Sequence, residues 1–143
     1  MTVSVVTAEP ARSLRDIAVL MRERNVGSVV LADGTRPVGF ITDRDLALAV
    51  AADGRDPAGR SADHASSPVI TAAPDMDVEE AAEKMIRHGV RRLVVVEAGS
   101  LVGVVTLADI TSRTDGNARA SELSARITRA AMPESFFHAR GER

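Results

Sequence analysis

Residues 38–46 read VGFITDRDL, and residues 102–110 read VGVVTLADI. The correspondence extends upstream without a gap, so that segment 5–46 recurs at 69–110, sixty-four residues later. Such self-similarity indicates one supersecondary unit used twice. Two copies are too few for a solenoid, and we therefore expect them to pack face to face about a pseudo-twofold axis, each burying the other's apolar surface. A pair of clefts is expected where the copies meet.

The composition limits the class of protein. The chain has 143 residues, of which 45% are hydrophobic, enough for one sizeable core that both copies share. A net charge of -2 and an aromatic content of 2% give neither the basic field nor the stacking side chains of nucleic-acid binders. No run reaches the roughly 18 apolar residues of a membrane span, the start lacks the basic residues of a secretory signal, and cysteine is absent. We therefore expect a cytoplasmic protein that binds neither nucleic acid nor membrane.

Within each copy the spacing of hydrophobic residues predicts the elements strand, helix, strand, strand and helix, in this order. Predicted strands span 3–7, 26–31 and 38–42 in the first copy and 90–96 and 101–106 in the second. An N-cap with an acid three positions later, as in a capping box, begins the first helix of each copy: Ser13 with Asp16, and Asp77 with Glu80. The apolar stripes of these helices are Leu14, Ile17, Ala18 and Met21, and Val78, Ala81, Ala82 and Met85. Asn25 and Gly89, which readily adopt left-handed conformations, are expected to end them.

The chain divides into a first repeat at 1–52, a connector at 53–66, a second repeat at 67–113 and a tail at 114–143. The connector is rich in Gly, Asp, Ser and Pro, with a short helical turn expected near 61–65. The tail has helical apolar spacing over 118–131. This helix caps the module, reaches a partner subunit or lies loosely on the surface, and the sequence does not choose. Phe136 and Phe137 lie in an otherwise polar stretch, and such a pair is expected to dock against some surface, of this protein or of another.

The two motif copies, together with HGVRRLVVV at 88–96, resemble a tandem cystathionine-β-synthase (CBS) domain pair, also called a Bateman module. The resemblance implies an α+β fold of two β-α-β-β-α repeats that pack through their sheets, with the tail helix as an addition. It also implies a homodimer. Family members usually regulate rather than catalyse, and sense an adenosine-containing ligand such as AMP or ATP between the repeats. No cofactor is required, and the protein target stays unknown.

The Thr-x-x-Asp motifs suit the binding of a nucleoside. Thr42 with Asp45, and Thr106 with Asp109, place a hydroxyl and a carboxylate where a strand becomes a helix. The carboxylate can accept hydrogen bonds from both ribose hydroxyls, while free N–H groups at the helix start favour phosphate. The same spacing is also a capping box that only starts a helix. The family resemblance implies the ribose role, and one residue can serve both.

Arginines near the motifs are candidate phosphate ligands. Arg44 lies inside the first motif, where the second has Ala108, so the two sites are expected to be unequal and Asp45 to matter more than Asp109. Arg91 and Arg92 precede a strand of the second copy and compensate there. Each arginine is otherwise an exposed helix or turn residue, paired at most with a neighbouring acid.

The resemblance places the adenine pocket at the ends of the first strands, near Thr7 and Thr71, and at the hairpin strands near Val30 and Val94. Ordinary core packing is the alternative for both valines. Many family members have proline where this chain has Val30 and Val94. This difference of the chain from its family bears on ligand identity more than on fold.

Two other classes of function remain open. One is a structural or interaction protein whose clefts are empty and whose helices dimerise or dock on a partner. The other is an enzyme, for which the sequence offers no phosphate-binding loop ending in lysine and no nucleophile elbow. His64, His88 and His138 are scattered, so neither a metal site nor a catalytic residue is expected.

Overall fold

The computed structural model describes residues 5–67, 69–114 and 116–131, which form two compact units. One unit contains the described chain up to Val69 together with Val96–Gly103, and the other contains Ile70–Val95 and the described chain from Val104 onward. The predictions for Phe136, Phe137 and His138 lie outside the described residues, as does the start of the strand expected at 3–7.

The first repeat forms a three-stranded sheet with helices. Its elements are β1 (Thr7–Ala8), α1 (Leu14–Arg24), β2 (Ser28–Asp33), β3 (Arg36–Thr42) and α2 (Asp43–Ala47), and a π-helical turn (Leu48–Ala52) continues α2. The strand order is β1-β2-β3, with β1 parallel to β2 and β2 antiparallel to β3. Of the described part of the strand expected at 3–7, only Thr7 lies in β1, which pairs with β2 through Thr7 and Ala8.

The second repeat has the same order of elements. These are β4 (Thr71–Ala72), α3 (Val78–His88), β5 (Arg92–Glu97), β6 (Ser100–Thr106) and α4 (Leu107–Arg113), with the sheet order β4-β5-β6 and β4 parallel to β5. The predicted succession of strand, helix, strand, strand, helix is confirmed in both copies. The chain is therefore an α+β protein with two equivalent three-stranded sheets.

The local signals that begin and end the first helix of each repeat act as predicted. Ser13 Oγ accepts a hydrogen bond from the Asp16 N–H at 3.0 Å. Asp77 caps α3 in the same way. Asn25 and Gly89 end the two helices in left-handed conformations, with φ of 52° and 63°. Both bonds of a capping box form at the later helices α2 and α4, rather than at α1 and α3 where the sequence also predicted a box.

The connector forms hydrogen bonds with the first residues of α1. Gly59 and Pro57 carbonyls accept the N–H groups of Leu14 and Arg15, both at 3.0 Å, which satisfies donors that a helix start leaves without partners. Farther along, a 3-10 turn at Ser61–Asp63 lies within the predicted helical turn. Spacing and composition gave no signal for these bonds, since they join segments more than forty residues apart.

The tail helix α5 (Asn117–Ala130) packs on α3 and α4 of the second unit. Leu123 and Ile127 are fully buried in a core that also contains Ala82 and Met85. This outcome decides among the three roles that the sequence left open, because α5 covers the helices of its own repeat. No helix in the described ranges is long and apolar enough to cross a bilayer.

One predicted core residue is misplaced. Leu14, Ile17 and Met21 are buried as expected, but Ala18 of the same stripe is exposed. Its counterpart Ala82 is buried by the second repeat's added helix. The sequence prediction for Ala18 was wrong because the first repeat has no described helix in the place of α5.

Candidate functional site

The first Thr-x-x-Asp motif forms a complete capping box where β3 becomes α2. Asp45 Oδ2 accepts the Thr42 N–H at 2.8 Å, and the Asp45 N–H donates to Thr42 Oγ1 at 3.2 Å. Both residues are half-buried. Within the described ranges Asp45 Oδ1 accepts no hydrogen bond, so this oxygen remains available to a donor outside the protein.

The second motif repeats the box at the start of α4. Asp109 Oδ2 accepts both the Thr106 N–H at 2.8 Å and the Thr106 hydroxyl at 3.1 Å. Burial raises the pKa of the Asp109 carboxyl, but the hydrogen bonds from Thr106 lower it, and the resulting pKa lies below its ordinary value. Asp109 is therefore a carboxylate at neutral pH and can only accept hydrogen bonds.

The start of α2 does not offer the free N–H groups that the sequence analysis expected for phosphate. Its first three N–H groups are all engaged: Asp43 donates to the Gly27 carbonyl at 3.0 Å, Arg44 to Asp43 Oδ1 at 2.8 Å, and Asp45 to Thr42 Oγ1 at 3.2 Å. The Asp43 carboxylate also lies at this helix end, where it repels an anion. The expectation was wrong at this motif, and cationic side chains must supply any phosphate contact.

The surroundings of the two motifs carry different charge. The backbone bond from Asp43 to Gly27 recurs as a bond from Leu107 to the Arg91 carbonyl at 2.9 Å. A Cβ at Gly27 would meet the Asp43 carboxylate at 3.3 Å, whereas the second repeat has an arginine and a leucine at the two equivalent positions. The exposed Arg44 therefore has an acid beside it, and the exposed Arg91 has an apolar residue.

The predicted adenine-pocket residues occupy equivalent places in the two sheets. Thr7 lies opposite Val30 in the parallel ladder of the first sheet, and Thr71 lies opposite Val94 in the second. Thr7 is exposed and Thr71 half-buried, but Val30 and Val94 are 0% and 2% exposed. The two valines are core residues. Arg92, the first residue of β5, is half-buried.

The backbone of the two valines is also engaged. The Val30 N–H donates to the Val6 carbonyl at 3.0 Å, and the Val94 N–H donates to the Ile70 carbonyl at 3.1 Å. Neither N–H is therefore available to a base. The hydroxyls of Thr7 and Thr71 lie beside these positions and remain the better candidates for contact with a ligand.

Comparison with known proteins identifies the family. The CBS domain family matches residues 1–52 and again 62–115, so the chain belongs to this family and carries its domain twice. An uncharacterised protein of Methanopyrus kandleri is 43% identical over 109 residues, which are 74% of this chain and 56% of that protein. This chain thus spans little more than half the length of that relative.

Two solved structures of similar fold were determined with nucleotides. A CBS domain protein from Pyrobaculum aerophilum, complexed with AMP, is 33% identical with a TM-score of 0.70, over 85% of this chain and 92% of the other. The cytosolic domain of the Mg²⁺ channel MgtE, in complex with ATP, is 26% identical with a TM-score of 0.69, over 80% of this chain and 46% of the other. Proteins similar to this chain therefore bind adenine nucleotides.

Proposed function

We propose that this protein is a regulatory module that binds an adenosine-containing nucleotide such as AMP or ATP and responds with a change in conformation or in affinity for a partner protein. The observation that supports it best is the pair of half-buried Thr-x-x-Asp boxes in a chain similar to an AMP-bound CBS protein. The response would follow from differential binding, with the ligand favouring one of two arrangements of the module.

Each box would hold a ribose through its aspartate. A carboxylate has two oxygens, and the box of the first motif engages only Oδ2 of Asp45. The hydrogen bond from Thr42 fixes the position of the carboxylate before the ligand arrives, which lowers the entropy lost on binding. The capping role and the ribose role are thus compatible in one side chain.

The phosphate would be bound by arginine side chains. Arg91 lies next to the second motif with no acid at the adjoining position, whereas the charge of Arg44 is offset by Asp43. A neighbouring carboxylate weakens the attraction that a cation exerts on an incoming anion. We therefore assign the stronger phosphate contact to the second motif, contrary to the ranking that the sequence suggested.

Calorimetric titration of the full chain with AMP, ATP, NAD and S-adenosylmethionine tests this function. We expect saturable heat with AMP or ATP. The double variant Asp45→Asn and Asp109→Asn should lose it while still folding, because the asparagine side-chain oxygen can still accept the N–H of Thr42 or Thr106 but carries no negative charge. Asp77→Asn is a matched control, since Asp77 caps α3 outside both motifs.

Absence of heat and of a thermal shift with all four ligands would contradict nucleotide sensing and favour the alternative, a ligand-free module that acts by docking on another protein. Release of a hydrolysed product during the titration would instead indicate catalysis. A cytoplasmic location and a homodimer belong to this proposal and stay predictions.

A further inference from the structure

The residue that follows the threonine of each motif differs in charge between the repeats. Asp43 begins α2 and donates its N–H to the Gly27 carbonyl at 3.0 Å. Leu107 begins α4 and donates its N–H to the Arg91 carbonyl at 2.9 Å. The backbone hydrogen bond is therefore the same at both motifs, and the side chains distinguish them.

The Asp43 carboxylate has a fixed position at this strand-to-helix junction. Its Oδ1 accepts the Arg44 N–H at 2.8 Å, and its Oδ2 lies 3.3 Å from the place where a Cβ on Gly27 would stand. Gly27 thus leaves the room that the carboxylate occupies. No ion pair in the described part of the chain involves Asp43. The described residues therefore hold its negative charge beside the first motif without pairing it.

The charges around the two motifs have opposite net sign. Positions 27–28 lie beside the first motif, because Ser28 pairs with Thr42 in the β2–β3 ladder. Together with positions 43–45 they contain two aspartates and one arginine, a net charge of -1. The equivalent positions of the second motif, 91–92 and 107–109, contain two arginines and one aspartate, a net charge of +1. An anion is therefore favoured at the second motif even when Arg44 is counted.

The charge of Asp43 acts on the 5′ end of a nucleoside bound at the first motif. Asp43 is two residues from Asp45, so their Cα atoms lie within about 8 Å of each other. Charges at such separations are only partly screened, since the Debye length is about 8 Å at physiological ionic strength. A 5′ substituent on a ribose that Asp45 holds is therefore close enough for the Asp43 carboxylate to repel it when it is anionic.

We propose that Asp43 is a specificity-determining residue, which makes the first motif select an adenosine ligand whose 5′ group is uncharged or cationic. This inference rests on the proposed function, because it requires that Asp45 holds the ribose. Leu107 adds no charge at the second motif, where Arg91 and Arg92 attract a 5′-phosphate. The two motifs thus bind the same nucleoside and differ in the charge that they accept at its 5′ position.

Three ligands that differ in the charge of the 5′ group test the inference: 5′-amino-5′-deoxyadenosine, which is cationic, adenosine, which is uncharged, and AMP, which is anionic. Each is titrated into the ¹⁵N-labelled full chain at neutral pH. The amide resonances of Gly27 and Arg44 report on the first motif, and those of Arg91 and Ala108 report on the second. At the first motif the dissociation constant should rise from the amine through adenosine to AMP. At the second motif it should fall in that order.

Asp43→Asn removes the charge and keeps the local structure, because the asparagine oxygen can still accept the Arg44 N–H. It should tighten AMP binding at the first motif by about fivefold in low salt, and this gain should shrink as added salt shortens the Debye length. Asp16→Asn is the matched control, since Asp16 is an exposed aspartate in the first turn of α1, whereas Gly27 follows the end of that helix. It should leave AMP binding unchanged.

Two results would overturn the inference and leave the proposed function standing. One is the same order of the three ligands at both motifs. The other is AMP binding at the first motif that Asp43→Asn leaves unchanged, or that it tightens equally at all salt concentrations, because the effect would then not be electrostatic. The absence of a saturable shift with adenosine at either motif would overturn both the inference and the proposed function.

Discussion

In each of the two motifs a single aspartate side chain both caps a helix and is the proposed contact with the ribose. Each accepts the N–H of the threonine that begins the motif at 2.8 Å, which fixes the carboxylate at a strand-to-helix junction. The sequence could predict these pairs because a capping box is a local pattern. It could not predict that the first N–H groups of α2 are engaged, since one of the acceptors, the Gly27 carbonyl, is sixteen residues away.

The unequal surroundings of the motifs predict unequal losses of affinity. With AMP, Asp109→Ala should weaken binding more than Asp45→Ala, because Arg91 adds phosphate attraction at the second motif only. With adenosine, which has no phosphate, the two losses should be similar. Calorimetry with both ligands measures the difference. A larger loss for Asp45→Ala with AMP would contradict this and support the expectation from the sequence that Asp45 matters more than Asp109, because Arg44 lies in the first motif.

Gly89 predicts a stability effect that separates backbone strain from steric contact. Its φ of 63° strains any L-residue, and a Cβ there would lie 2.8 Å from the Ala130 carbonyl oxygen. Gly34 has nearly the same φ, 64°, but open space around it. Gly34→Ala should cost about 1 kcal/mol from the left-handed conformation.

Gly89→Ala should cost clearly more than Gly34→Ala, because the end of α5 must also move. Urea unfolding followed by circular dichroism measures both variants. Equal losses would mean that α5 does not approach α3 as closely as described.

At the scale of elements, α5 is part of the second repeat's core rather than an appendage. Leu123→Ala should destabilise the protein by about 2–5 kcal/mol, the usual range for a fully buried leucine. Ser121→Ala on the exposed side of α5 is the control and should change stability by less than about 0.5 kcal/mol. If urea unfolding gives Leu123→Ala the same stability as Ser121→Ala, α5 is not packed on α3 and α4.

The ion pair between α5 and α3 predicts a dependence on pH. The hydrogen bond from Arg119 holds the pKa of Glu79 below its ordinary value of 4.5. A carboxyl with a lowered pKa in the folded state stabilises the protein above 4.5, and this contribution is lost as the pH falls through the folded-state pKa. Wild type should therefore be more stable than Glu79→Gln at pH 7, and the difference should vanish in acid.

Glu80→Gln is the matched control for that experiment, because Glu80 lies on the same turn and forms no ion pair within the described ranges. Thermal unfolding at a series of pH values measures all three proteins. A difference between wild type and Glu79→Gln that persists unchanged below the ordinary pKa would contradict the role of the ion pair.

How well the sequence predicted each feature depended on how far apart in the chain the interacting residues lie. Helix starts, helix ends and the order of elements depend on residues within a few positions, and these predictions were confirmed at Ser13, Asn25 and Gly89. The exposure of Ala18 and the burial of Ala82 depend on whether a distant helix is present. A local sequence pattern carries no information about a distant helix. The repeat therefore predicted equal burial of Ala18 and Ala82, which the structure does not show.

At the scale of the whole molecule, the chain is a tandem CBS protein whose two repeats share a fold but differ in charge. The first repeat has Gly27 and Asp43, and the second has Arg91, Leu107 and a helical layer covered by α5. We propose that the second repeat provides the stronger phosphate contact. The homodimer implied by the family resemblance remains a prediction for sedimentation analysis.

A crystal structure of the full chain grown with AMP tests the central claim most directly. We expect a ribose whose hydroxyls donate to the carboxylate of Asp45 or Asp109 at hydrogen-bond distance, with the capping bonds from Thr42 and Thr106 still formed. A nucleotide bound elsewhere, with both carboxylates left to their caps, would contradict it.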